Sequence, residues 1–424
     1  MSAGEAITAY VEKIALGGEG LAVSEGKRIF IPLSAPGDVL KAIITEDHGS
    51  WARAEIKEIY ESSGDRINPR CQHFGECGGC SLQHLSYETQ LEIKKDILVS
   101  ALKRSEESEE KSKLSDLVPP VTVVSSEPWE YRNRVSLHAL RSNRFPRCGF
   151  KARKSEEIIP LKNCPVSDSG IQQVLPRILP PPGKDRFNLY SKGEVLIAEA
   201  GTTVSDDKKS GIERQIPGRG TITLSEHDPA FSFLSRKITL DAASFFQSNA
   251  GVLEKLVCQT RDIAAKITDG SSDSNLRSGV MADLYAGVGT FSLFLSDLFP
   301  GGADLVESDS RALNLAKINL SRSGDADGKH RFFDQKTEQW IRKQDCNAYS
   351  LVVADPPRQG LSPLLTQTLC QSGPSVFIYV SCDPSTFARD FHGLVRNYKL
   401  QNLFLFDFYP QTAHIETMGV FRRK

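Results

Sequence analysis

Beyond residue 240 the chain keeps one order, a short apolar run, a turn rich in glycine or proline, then a helical period, and this order constrains the fold most. VMADLYAG leads into TFSLFLSDLF, ADLVES into RALNLAKINLSRS, and SVFIYVSCD into STFARDFHGLVRN, while RFFDQ and LVVADPP read as further strands. The segments LFLFDFYP and TMGVFRRK read as strands that close the series. Alternation of this kind predicts an α/β domain built on a parallel, doubly wound sheet over residues 241–424. In such sheets ligands sit at the carboxyl ends of the strands, so the residues there are the first to weigh.

The remainder reads differently. Residues 5–60 are short alternating runs, among them ITAYVEKIAL, KRIFIPLSA and ARAEIKEIYE, separated by Gly, Pro and Asp turns. They predict a small five-stranded, OB-like β-barrel over 1–61, an architecture that commonly offers one face to oligonucleotides. Residues 62–240 are expected to form a mainly β middle domain, from runs such as RVSLHALR, KGEVLIAEAG and RGTITLSE. The polar stretch SEESEEKSKLSD at 105–116 reads as a solvated linker or helix end. Three units suit a length of 424 residues.

Bulk charge offers no hint of a polyanionic partner, because the formal net charge is only −1, so RNA would have to be held by local patches. No apolar run is long enough to span a bilayer, and MSAGEAITAY lacks the basic and apolar pattern of a secretory leader. A cytoplasmic monomer without a membrane role is the expectation. Nine cysteines in such a chain argue for metal ligation or catalysis where they cluster, and against a disulfide framework.

In DLYAGVGTF, Gly287 and Gly289 stand where a buried strand turns into a helix, which lets backbone approach a ligand. A dinucleotide fingerprint would need a third glycine where Ser292 stands, so a pyrophosphate grip is disfavoured, although an NAD site remains the competitor. Glu307 ends the next strand, where a carboxylate can accept from two ribose hydroxyls, and Asp334 follows RFF, where an adenine amino group could be met. This ordered set points to S-adenosylmethionine, a nucleoside-bearing cofactor without phosphates.

Two further strand ends carry DPPRQGL (355–361) and VSCDPSTF (380–387). Asp-Pro-Pro can neither continue a ladder nor start a helix at once, and so fixes Asp355 beside the methyl donor. Arg358 follows where amine-directed methyltransferases place an aromatic, which argues against an exocyclic amine as acceptor. Carbon 5 of uracil is a poor nucleophile, and a thiolate adding to carbon 6 activates it; a base must then remove the carbon 5 proton so that the thiolate can leave. Cys382, at a strand tip beside Asp383 and Pro384, is the expected nucleophile. Glu416, before the last strand, is the expected base, with His414 as rival.

Through FFQSN, DLYAGVGTF, DPPRQGL, VSCDPSTFARD and HIETM the chain resembles the RNA uracil-5-methyltransferase family. The resemblance implies a Rossmann-like methyltransferase domain with Cys382 as nucleophile and Glu416 as base. It further implies S-adenosylmethionine contacts at Gln247, Tyr285, Thr290, Glu307, Asp334 and Asp355, and places Arg132 near RNA. Many members carry Asn where Thr290 stands. The turn GGEGLAV and the segment PLSAPGDVL make the barrel similar to a TRAM domain.

Cys71, Cys77 and Cys80 are spaced C-x5-C-x2-C, with Cys164 as a distant fourth, and such a set can hold a [4Fe-4S] cluster or zinc. Spacing does not choose between them; resemblance to the cluster-bearing members implies iron–sulfur. Cys148, Cys258, Cys346 and Cys370 read as structural. A TRAM-like barrel with four such cysteines resembles the branch acting on 23S ribosomal RNA, with the target uracil flipped out of its stack. The competing readings are a transfer-RNA uracil-5-methyltransferase and a non-catalytic iron–sulfur RNA-binding protein.

Overall fold

The computed structural model describes residues 2–104, 117–140, 147–193, 195–205, 213–224, 236–269, 279–322 and 329–424. The linker read at 105–116 lies outside them. Strands β1 (Ala6–Ile14), β2 (Glu19–Ser24), β3 (Lys27–Pro32), β4 (Val39–Asp47) and β5 (Trp51–Glu61) close into a barrel of order β1-β2-β3-β5-β4, with β4 returning to β1. Its interior is narrow and filled by alternating small and branched side chains, including Ala22, Ala42 and Ala52 beside Ile29, Ile31 and Ile44.

The helix Tyr87–Arg104 and strand β6 (Val121–Val124) come next, and the structure differs here from the segmentation read in the sequence. The helix is started by Ser86, whose Oγ accepts from Thr89 N. It buries Ile93, Ile97, Leu98 and Leu102 against the C-terminal sheet, each worth about 1.5–3 kcal/mol. β6 becomes an edge strand of that sheet. The helix Tyr87–Arg104 and β6 therefore pack with the C-terminal sheet, because an amphipathic helix goes to the nearest apolar face whatever its place in the chain.

In the middle unit, β7 (Arg134–Leu140), β8 (Arg147–Lys151), β9 (Ile158–Pro160), β11 (Arg186–Lys192) and β12 (Val195–Ala198) form an antiparallel sheet of order β12-β11-β7-β8-β9. A three-stranded sheet, β10 (Ile178–Leu179), β13 (Thr203–Ser205) and β14 (Glu213–Gln215), and a hairpin, β15 (Arg219–Leu224) with β16 (Arg236–Asp241), complete it.

The C-terminal sheet holds β17 (Val280–Leu284), β18 (Ala303–Glu307), β19 (Arg331–Asp334), β20 (Tyr349–Ala354), β21 (Val376–Ser381), β22 (Tyr398–Phe406) and β23 (Glu416–Arg423), in the order β19-β18-β17-β20-β21-β23-β22-β6. β20 and β21 are buried at every position, as strands covered by helices on both faces must be. Helices Ala250–Asp269, Thr290–Leu295 and Ser310–Ser321 cover one face, while Tyr87–Arg104, Pro363–Ser372 and Pro384–Leu394 cover the other. The expected all-parallel sheet is corrected at one point: β23 runs antiparallel between β21 and β22. The connection from β22 holds only residues 407–415, too short for a crossover helix. That reversal brings the start of β23 beside the end of β21, with Ser381 opposite Thr417. No described helix is long and apolar enough to cross a membrane.

Candidate active site

The motifs at the strand ends converge on one cavity of about 870 Å³. At its cofactor end the turn after β17 takes three left-handed residues, Tyr285, Gly287 and Gly289. A Cβ on Gly287 would meet nothing within 4 Å, so this backbone is open to a ligand. Gly289 has the opposite role. It is not on the cavity wall, and a Cβ there would press on Ala316 and Leu320 at 3.0 and 3.1 Å, so its glycine serves helix packing. Glu307 ties the turn to β18, since Oε2 accepts from Gly287 N at 2.9 Å and Oε1 from Ser308 N and Asp309 N at 2.6 and 2.7 Å. Ser292, at the place of the absent third glycine, donates through N and Oγ to buried Asp283, at 3.0 and 2.7 Å.

Gln247, Tyr285, Thr290 and Glu307 all line this end. Gln247 Oε1 is buried and has no hydrogen-bond partner, a vacancy suited to a polar ligand atom. Asp334 stands in register with Glu307 but is exposed and off the cavity wall, because the chain turns inward only two residues later. There the wall is built by Lys336 and Glu338, and Glu338 Oε1 accepts from the Tyr285 hydroxyl at 3.3 Å. These two were not singled out in the sequence, where a polar run after a strand carries no distinguishing mark.

At the reaction end, Asp355, Arg358, Cys382, His414 and Glu416 share the wall. Asp383 caps the helix Pro384–Leu394 by accepting from Ser385 N and Thr386 N at 2.8 and 2.9 Å, which holds Cys382 in the strand-to-helix turn, half-buried. The DPPRQGL turn is locked from that same helix. Buried Asp390 accepts from Leu361 N and from the Tyr379 hydroxyl, each at 2.8 Å, and Arg389 donates to Gln359 O. Gly360 is left-handed there, and a Cβ would come within 2.5 Å of the Asp390 carboxylate. The sequence showed FARD but not that its Asp braces the neighbouring motif.

Charge at this end is crowded and dry. Burial pushes the Asp355 carboxyl up to about 7, and holds Glu416 well above the usual carboxylate range, with the charge of Asp355 adding to the effect. Glu416 Oε1 is buried without a partner. Burial, then Glu416 and Asp355, raise the Cys382 thiol to about 11, while Arg358 pulls it down. His414, stacked edge-on to Tyr409, is pushed down to about 4 by burial and by Arg358, Lys94 and Arg132, and is neutral near pH 7. That suits orientation better than acid–base work.

Residues 407–416 reach the site through a buried suture. Lys94 Nζ donates to Asp407 Oδ1 at 2.5 Å and to Tyr409 O at 3.0 Å, both ions fully buried, and the Tyr87 hydroxyl donates to Asp407 Oδ2. Gln90 exchanges hydrogen bonds with Gln411, the Tyr131 hydroxyl donates to Pro410 O, and Ser81 N and Leu82 N donate to Gln411 O.

Cys71, Cys77, Cys80 and Cys164 all line one void of about 20 Å³ between the loop and the middle sheet. Burial, helped by the neighbouring thiols, raises Cys71, Cys77 and Cys80, the last to about 12, so a bound cation is what would stabilise these sulfurs as thiolates. Among the described residues, no three His, Cys, Asp or Glu side chains stand in a metal-ligating group as they lie. Cys148 and Cys346 are buried in cores, and Cys258 and Cys370 are half-buried away from either site.

Residues 233–424 match the family model described as tRNA (Uracil-5-)-methyltransferase. Over 95% of its length the chain is 31% identical to a 23S rRNA (uracil(1939)-C(5))-methyltransferase, RlmD, of Shewanella woodyi, covering 93% of that protein. It is 32% identical to an uncharacterized RNA methyltransferase of Treponema denticola, over 95% of both chains. The fold matches that of a Pyrococcus abyssi tRNA (uracil-54, C5)-methyltransferase crystallised with S-adenosyl-L-homocysteine, at TM-score 0.67 and 23% identity, covering 98% of this chain and 99% of that one. With such identity sustained from the barrel to the last strand, the chain belongs to the RNA uracil-5-methyltransferase family.

Proposed function

We propose that this S-adenosylmethionine-dependent enzyme methylates carbon 5 of one uridine in 23S ribosomal RNA through a covalent adduct on Cys382. The observation that carries the reading is the single cavity in which Cys382, Asp355 and Glu416 face the Gly287 turn. The open Gly287 backbone, the unpartnered Gln247 Oε1 and the Glu307 carboxylate fit a nucleoside-bearing cofactor. Gln247, Tyr285, Thr290 and Glu307 would hold it, with Asp355 at its reactive end and Asp334 near the outer rim. When bound, it supplies a methyl group on a positive sulfur.

Cys382 Sγ adds to carbon 6 of the uracil and releases electron density towards carbon 5. With a free thiol at about 11, this step needs the proton taken away in the complex, and the buried Asp355 carboxylate is the acceptor at hand, which leaves Glu416 free for the later proton. After methyl transfer, the Glu416 carboxylate takes the carbon 5 proton and Cys382 leaves by elimination as the thiolate, which recovers its own proton from Asp355, while Glu416 passes the one net proton of the reaction to solvent. Arg358 and neutral His414 orient the base and exclude water. The four-cysteine site would take a [4Fe-4S] cluster on Cys71, Cys77, Cys80 and Cys164. Its donor set and convergence on one void support this, and its place between loop and middle sheet gives it a structural role. The TRAM-like barrel and the middle unit grip the RNA.

Ribosomal RNA is preferred because relatives named for 23S rRNA cover 95% and 98% of the chain at 31% identity, whereas the transfer-RNA enzyme of like fold, which covers 98%, is 23% identical. Purified protein given methyl-labelled cofactor, with ribosomal and transfer RNA from a strain lacking the gene, is expected to form 5-methyluridine in 23S rRNA. Cys382→Ala should bind cofactor and form none. Methylation of transfer RNA alone overturns the substrate, and turnover by Cys382→Ala overturns the mechanism. Iron and sulfide analysis of anaerobically prepared protein tests the cluster; zinc alone refutes it.

A further inference from the structure

The outer face of the middle sheet contains charge that the reaction does not use. Along β7 and the three residues before it, alternation sends Tyr131, Asn133, Val135, Leu137 and Ala139 inward, and leaves Arg132, Arg134, Ser136 and His138 on the open side. Register places Arg186 of β11 opposite His138, and Gly149 of β8 on its other flank, two residues before Lys151. Beside this face runs an open groove of about 550 Å³, into which Arg132, Lys151, Arg153 and Lys154 project. The groove and the catalytic cavity share Arg132, Gly78 and Gly79, so one leads into the other.

Three features point to an anionic polymer. First, the cations crowd one another: burial lowers the proton affinity of Arg134, and Arg132 and Arg186 lower it further, a repulsion that a bound anion would relieve. Second, Arg132, Arg134, Arg153 and Arg186 form no ion pair with a described residue, whereas Lys151 and Lys154 are held by Glu156 and Glu19. Third, the floor is bare backbone. Gly78 N donates to Lys151 O at 3.0 Å and Arg153 N to Glu76 O at 2.7 Å, which stitches the cysteine loop to the β8–β9 hairpin without side chains in the way. At the cavity mouth Phe245 is 66% exposed beneath the Arg134 guanidinium, an apolar surface beside a cation.

We propose that this groove carries the sugar–phosphate backbone of the RNA nucleotides flanking the target uridine, running from Arg132 at the cavity mouth outward over Gly78 and Gly79 to Arg153 and Arg186. The proposal rests on the RNA reading above and specifies the path. A uracil in the cavity leaves its two phosphates at the mouth, and the chain must continue across a surface that neutralises them.

The test is direct binding of fluorescein-labelled single-stranded oligouridylate, and of a transcribed 23S rRNA fragment, across a salt series. Arg153→Glu combined with Arg186→Glu is expected to weaken both at least about tenfold and to flatten the slope of log affinity against log salt. Cofactor affinity should stay within about twofold. Lys103→Glu, an exposed reversal on the helix Tyr87–Arg104, is the control and should leave RNA affinity unchanged. If charge reversal disturbs folding in a thermal melt, Arg153→Gln with Arg186→Gln serves instead, with at least about threefold weakening expected. Wild-type affinity in the groove variants, or equal loss in Lys103→Glu, overturns the path. Wild-type protein that binds these RNAs through the groove but forms no 5-methyluridine would refute the function and leave the path standing.

Discussion

The two ends of the cavity treat their carboxylates in opposite ways. At the cofactor end Glu307 accepts three backbone N–H groups, so its charge is already satisfied and it serves as a brace for the Gly287 turn. At the reaction end Asp355 and Glu416 are buried in one compartment, and both hold protons far more tightly than exposed carboxyls. A ligand-binding surface must keep its shape before the ligand comes, which favours saturated hydrogen bonds. A group that must move protons needs affinity near the working pH, which burial and a like-charged neighbour supply.

The sharpest way to break this contrast is Glu416→Gln. It is expected to slow turnover by about 10²–10⁴-fold and to let a protein–RNA adduct accumulate that survives a denaturing gel, because addition proceeds and elimination does not. Turnover near the wild-type rate would remove Glu416 from the proton path. Lys94→Met comes next, since it strands the fully buried Asp407 and should cost about 3–5 kcal/mol in denaturant unfolding. Adding Asp407→Leu should recover most of that stability while turnover stays about tenfold low, because the Tyr409 carbonyl has lost its anchor. A double variant with full turnover would show the suture to be irrelevant to geometry.

Protonation gives a third measure. Burial raises Asp283 to about 7, so the folded protein holds a proton there that the unfolded chain releases near pH 4. Unfolding free energy should therefore fall as pH rises from about 4 to 7, by about 4 kcal/mol from this group, and Asp283→Asn should flatten that decline in melts across the range. The smallest effect is expected at the satisfied end. Glu307→Gln keeps one acceptor oxygen and should weaken cofactor binding about tenfold, a little over 1 kcal/mol, with turnover at saturation nearly unchanged. A turnover loss matching that of Glu416→Gln would erase the distinction between the ends.

Much of the site was legible because its signals are local. Glycine at 287, prolines at 356 and 357, and the Cys-Asp-Pro run mark strand ends through backbone sterics that act within a few residues. The pair Gly287 and Gly289 shows the limit of that reading. Both are left-handed, but only one faces the cavity, and the difference lies in which helix passes behind. Asp334 teaches the same lesson, as its place at a strand end after RFF was visible and its outward exposure was not.

By itself the sequence determined the order of strands and turns, the barrel's alternation, and the residue types available at each strand tip, since these follow from periodicity and local conformational preference. Tertiary structure alone decided that β23 runs back between β21 and β22, so that Glu416 stands near Cys382. It also decided that Lys94 meets Asp407, 313 positions away, and that Arg132 joins the catalytic cavity to the basic groove. Such contacts depend on which apolar faces find one another once the layers stack, and no spacing along the chain encodes that choice.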